Sequence, residues 1–138
     1  MKIIPILLIA LSATPVVAQD NDPVPVDSAL ALPTEWETYY LAFLRPGPNR
    51  DLGQEALGEL MNRHIQYQLR LQDSGRAVAA GGIAPEASSD LVGITMLHAS
   101  SLEEARRWAA NDPAVLAEYF AVEVRTWYVP AGRVVFPE

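Results

Sequence analysis

The run Tyr39-Tyr40-Leu41-Ala42-Phe43-Leu44 carries no charged or amide side chain, and no other segment constrains the fold so strongly. Its aromatic content marks a strand beginning at Thr38, ended by Arg45-Pro46-Gly47-Pro48. Successive strand residues point to opposite faces, so a strand with one wet face shows a polar residue at every second position. Here Tyr39, Leu41 and Phe43 alternate with Tyr40, Ala42 and Leu44, and both faces need cover. The strand Phe120 to Val129 behaves alike, with Trp127 and Val129 opposing Val124 and Tyr128. Helices supply one cover. A second copy of the sheet supplies the other most economically, so a homodimer is expected. The alternative cover is the chain's own N-terminal lead and C-terminal tail.

Between these strands the punctuation is clear. Ala56 to Gln72 repeats apolar residues at helical spacing, with Asp51 and Gln54 as a capping box and Gly75 as a left-handed stop. Strands follow at Arg76 to Ala80, closed by Gly81-Gly82, and at Leu91 to His98. Ser100 or Ser101, with Glu103 or Glu104, caps a second helix that reaches Ala110. That helix breaks at Asn111-Asp112-Pro113 and restarts to about Glu118. Arg133 to Phe136 forms either a short edge strand or a packed tail. The order strand, helix, strand, strand, helix, strand implies an α+β fold: a four-stranded antiparallel sheet with both helices on one face.

Residues 1–18 read as an export signal. Lys2 precedes an apolar run from Ile3 to Ala13, and Val16-Val17-Ala18 offers small residues for cleavage. The run is shorter than the roughly 20 apolar residues of a bilayer span. An exported chain, periplasmic or secreted, is therefore expected, with no membrane association after signal removal. Residues 19–37 form a Pro/Asp-rich lead, 38–130 the folded domain and 131–138 a tail. Lys2 is the only lysine, so the formal charge of −7 becomes −8 on its removal. So acidic a chain, without a basic cluster, argues against nucleic acid. There is no cysteine, and two histidines without metal-ligand spacing offer no metal site. Nothing requires a cofactor.

On the first helix, Leu57, Leu60, Met61, Ile65 and Leu71 share one side, while Glu55, Glu59, Asn62, Arg63, Gln66 and Arg70 share the other. His64 and Gln68, one turn apart, fall near the middle of the apolar stripe. Burying an imidazole costs free energy unless a partner waits for it.

Several strings in order resemble the YCII-related family of small α+β proteins. They are His64-Ile65-Gln66-Tyr67 with Gly75-Arg76-Ala77-Val78-Ala79-Ala80-Gly81, then Ser101-Leu102-Glu103-Glu104-Ala105 with Asn111-Asp112-Pro113, then Val124-Arg125-Thr126-Trp127. The resemblance implies a ferredoxin-like βαββαβ protomer that pairs sheet to sheet into a dimeric α+β barrel. It also implies a histidine and an aspartate at a cleft, here His64 and Asp112, acting as acid and base on small, often cyclic organic molecules. Where the family pattern reads Ala-Gly-Pro, this chain has Ala80-Gly81-Gly82.

His64 is thus a candidate general base or acid for proton transfer or elimination, with Asp112 its orienting partner. The alternative for His64 is a core histidine bonded to backbone or to Gln68. For Asp112 the alternative is helix capping ahead of Pro113. Arg125 and Trp127 share a strand face with Glu123 and are candidate substrate contacts, as is Gln68. The favoured alternative for Glu123, Arg125 and Trp127 is an interfacial ion pair beside a packing indole. His98 reads as a surface or packing residue. Two functions stay open: a small-molecule enzyme, and a non-catalytic module that binds a ligand or a protein.

Overall fold

The computed structural model describes Pro23 and residues 29–135. The expected export signal lies outside these residues, as do 19–22 and 24–28 of the lead and 136–138 of the tail. Among the described residues, those from Leu32 onward form one compact unit. Its strands are β1 (Trp36–Pro46), β2 (Ala77–Gly82), β3 (Gly93–Leu97) and β4 (Phe120–Pro130). Its helices are α1 (Gln54–Asp73), α2 (Leu102–Ala110) and α3 (Pro113–Leu116).

The sheet is antiparallel with order β2-β3-β1-β4, a ferredoxin-like arrangement. The strand that is apolar on both faces is therefore central, paired with β3 from Tyr40↔Leu97 to Leu44↔Gly93. Against β4 it pairs along its whole length. Trp36↔Pro130 and Glu37↔Val129 extend that ladder, which is why β1 begins two residues before Thr38.

One face of the sheet carries the core. Tyr40 and Ala42 of β1, Leu97 of β3 and Val124 of β4 pack against Leu71 of α1 and against Ala105 and Ala109 of α2. Small residues on α2 let that helix lie close to the sheet. The other face, with Leu41 and Phe43 on β1, Ile94 and Met96 on β3 and Trp127 on β4, receives no helix, since cross-strand partners point the same way.

One local expectation is corrected, and two left open between alternatives are settled among the described residues. Gly53, in an extended conformation, is the N-cap of α1, and Asp51 makes no cap. The reason lies in the preceding loop, which is sutured to the α3–β4 turn by Gly47 N–H to Tyr119 O (2.8 Å) and Asn49 N–H to Glu118 O (3.1 Å). A Cβ on Gly47 would lie 2.1 Å from the Glu118 carbonyl oxygen. Second, both serines serve α2: Ser101 accepts from Glu104 N–H, while Glu104 accepts from the Ser100 backbone and hydroxyl. Third, residues 133–135 form no strand. Gly75 does end α1, with φ +70°.

Candidate functional site

Helix α1 places His64 and Gln68 one turn apart toward the sheet, both partly buried. Between that helix and the β2–β3 side of the sheet lies a cavity of about 230 Å³. His64, Gln68, Thr95, Leu44, Phe120 and the Gly81-Gly82 pair are among its lining residues. The two glycines leave room that side chains would fill. Phe120 meets the His64 ring edge to face, with centroids 5.4 Å apart.

Asp112 is 1% exposed and ends the turn between α2 and α3. Its Oδ1 accepts the Ala114 N–H at 2.8 Å, capping α3. Its Oδ2 lies 2.7 Å from His64 Nδ1 and 2.7 Å from Gln68 Nε2. A carboxylate only accepts, so Nδ1 carries the proton and Nε2 is the basic nitrogen of a ring that lines the cavity. Behind Gln68, its Oε1 accepts the Thr95 hydroxyl at 2.9 Å. Among the described residues no buried side-chain nitrogen or oxygen lacks a partner. The arrangement is a histidine–carboxylate pair, fully hydrogen-bonded on the protein side and open toward a cavity of mixed lining.

Tyr67 completes the surroundings. Its hydroxyl donates to the Trp108 carbonyl at 2.7 Å. Burial, and then the Asp112 charge, push this phenol above its ordinary value, with Arg76 opposing.

Arg125 and Trp127 stand elsewhere. Both point to the helix-free face of the sheet, and neither lines the cavity at His64. Arg125 is 68% exposed and pairs with Glu123 at 2.6 Å. Glu123 also receives Arg45 at 3.3 Å, and Arg45 reaches Asp90 at 3.0 Å. Trp127 lies beside Leu41, Ile94 and Met96. Within one protomer these two residues join the open face, not the His64 cavity. His98 is exposed, its ring 5.5 Å from that of Tyr39. Among the described residues no three His, Cys, Asp or Glu side chains gather as metal ligands would.

Thr95 and Phe120, both at the cavity, were not singled out by sequence. Thr95 left a trace, because Gly93, Thr95 and Leu97 share the buried face of β3 and a hydroxyl there needs a partner. Phe120 left none. Ile65, placed by periodicity in the buried stripe, is 55% exposed; with Leu69, 53% exposed, it lines the opening of the cavity.

The model of the YCII-related domain family matches residues 38–128. No curated protein matches the chain. Among solved structures, the chain is similar to 5-chloro-2-hydroxyhydroquinone dehydrochlorinase (TftG) from Burkholderia phenoliruptrix AC1100, in complex with 2,5-dihydroxybenzoquinone. The identity is 18% and the TM-score 0.48, over 64% of this chain and 92% of that one.

Proposed function

This chain belongs to the YCII-related domain family, and we propose from that premise that it is an exported homodimer binding a small organic molecule at His64 and moving a proton there. The observation that carries the reading is the 2.7 Å contact of His64 Nδ1 with Asp112 Oδ2 beside a 230 Å³ cavity. A buried carboxylate behind an imidazole orients the ring and stabilises the imidazolium that proton uptake creates. In an elimination, Nε2 takes a proton from carbon, the C–H electron pair becomes the new double bond, and a leaving anion departs. In a proton transfer, the same nitrogen returns the proton to another atom of the ligand. Nothing in the arrangement calls for a cofactor. The mixed lining, with Leu44, Val92 and Phe120 beside His64, Gln68 and Thr95, favours a ligand with a hydrocarbon body and a few polar atoms, and its modest volume favours a small one.

Two further elements belong to this reading. Export is supported by the pattern of residues 1–18 and is tested by N-terminal sequencing of the protein recovered from the producing cell. Sheet-to-sheet pairing is supported by the apolar residues on the helix-free face.

The test of the chemistry is deuterium exchange, followed by NMR, from a panel of small cyclic ketones and phenols. Exchange at carbon catalysed by the intact chain and abolished in a folded His64→Gln variant is the expected result. A His64→Gln protein that unfolds without specific loss of exchange sinks the assignment. The second reading, a non-catalytic binding module, draws on the bonds Asp112 makes to Ala114 and Gln68, which give it structural work without any reaction. Ligand binding without exchange would favour it.

A further inference from the structure

Oδ2 of Asp112 receives two donors, and the second of them is itself held. Gln68 Nε2 donates to Oδ2 at 2.7 Å, and Gln68 Oε1 accepts from Thr95 Oγ1 at 2.9 Å. Thr95 is 4% exposed on β3, so its hydroxyl must be matched inside the protein. The direction of this chain is fixed by chemistry. A carboxylate has no proton to give, so the amide must turn its NH₂ toward Asp112 and its oxygen toward Thr95. The flipped amide would set Oε1 against Oδ2 with no hydrogen between them.

Ala114 N–H holds Oδ1 at 2.8 Å, while Gln68 holds Oδ2. The plane of the carboxylate is thus defined by two donors before His64 is considered. Nδ1 then meets an oxygen that cannot rotate away, and the ring is kept with its proton on that side.

We propose that Thr95 and Gln68 are positioning residues for His64: the Thr95 hydroxyl orients the Gln68 amide, and the amide fixes Asp112 so that His64 keeps its Nδ1–H tautomer. Gln68 accordingly acts on His64 through Asp112, besides lining the cavity. The proposal rests on the reading of His64 as the proton-transfer group, but its readout needs no turnover.

The experiment is a nitrogen-15 measurement of His64 in the full chain, at a pH where the ring is neutral. Wild type should show a protonated Nδ1 and an unprotonated Nε2. In Thr95→Val and in Gln68→Met the Nε2–H share should rise about fivefold, the scale of one hydrogen bond. Thr95→Ser, which keeps the hydroxyl, should restore the wild-type ratio. A merely structural role would lower the unfolding midpoint of the variants and leave the tautomer alone, and that result overturns the proposal. Wild type supplies a check independent of any variant's folding. The Gln68 side-chain amide should exchange with water more slowly than that of exposed Gln66, and equal rates overturn the proposal as well. Failure of the catalytic reading is separate: exchange activity that survives His64→Gln defeats that reading, whatever the tautomer.

Discussion

His64 and Asp112 stand 48 positions apart in the chain and 2.7 Å apart in the fold. The contact joins the middle of α1 to the turn between α2 and α3, so the site depends on the packing of two helical segments that no local interaction connects. Asp112 does two jobs there, since one oxygen caps α3 and the other faces the imidazole.

Those jobs separate by substitution. Asp112→Asn keeps an oxygen able to cap Ala114 but removes the charge facing His64. It should cost about 1–2 kcal/mol of stability and most of the turnover. Asp112→Ala removes the cap as well, beyond the acceptor that Gln68 and His64 lose in both variants. Its cost should be larger, about 3–5 kcal/mol. Urea unfolding of the two variants checks the order, and equal costs would mean that capping explains nothing of Asp112.

The element order was legible because each element carries its own period and punctuation. The apolar run foretold a strand from Tyr39 to Leu44, and Gly75 foretold the end of the helix. The stripe showed only that His64 needs a partner; that the partner is Asp112 came from the resemblance to the YCII-related family, and the fold brings the two within 2.7 Å. Ile65 was misplaced for a matching reason: a period of 3.6 identifies an apolar face without telling a core from the mouth of a cavity. Period two correctly grouped Glu123, Arg125 and Trp127, but it does not say across which face of the sheet His64 lies.

That distinction is measurable. Leu60 is 3% exposed and Ile65 is 55% exposed, although both belong to the same sequence stripe. Leu60→Ala should cost about 2–5 kcal/mol, while Ile65→Ala should stay within about 0.5 kcal/mol of wild type. Ile65→Ala should instead weaken ligand binding, since its side chain borders the cavity. Thermal unfolding of the pair tests this, and a large loss at Ile65 would return it to the core.

Tyr67 makes a pH prediction whose sign follows from its surroundings. Burial and the Asp112 charge raise this phenol above the ordinary 10.0, so the native state favours the neutral form. Below pH 10 both native and unfolded chains hold the proton, and the contribution is fully present. As pH rises past 10 the unfolded chain ionises first, and stability is lost until the native phenol ionises as well. Tyr67→Phe should therefore show a smaller alkaline loss than wild type. Phenolate absorbance alongside urea unfolding measures it, and parallel alkaline losses in the two proteins would contradict the assignment.

The helix-free face makes the last prediction. Strands about 4.8 Å apart and five to eleven residues long present a sheet face of roughly 500 Å² in plan. That approaches the scale of the roughly 800 Å² that each partner buries in a stable pair. Phe43 lies within this face, paired across the ladders with Ile94 and Glu123. An aspartate there would set a second carboxylate beside Glu123 in the seam of a sheet-to-sheet dimer, where Arg45 and Arg125 are already engaged with Glu123. In a free protomer the same charge would reach water. Sedimentation should find wild type as a dimer and Phe43→Asp as a folded monomer. A wild-type monomer would mean that the face is not paired with a second copy, and a dimeric Phe43→Asp would place the dimer contact on another surface.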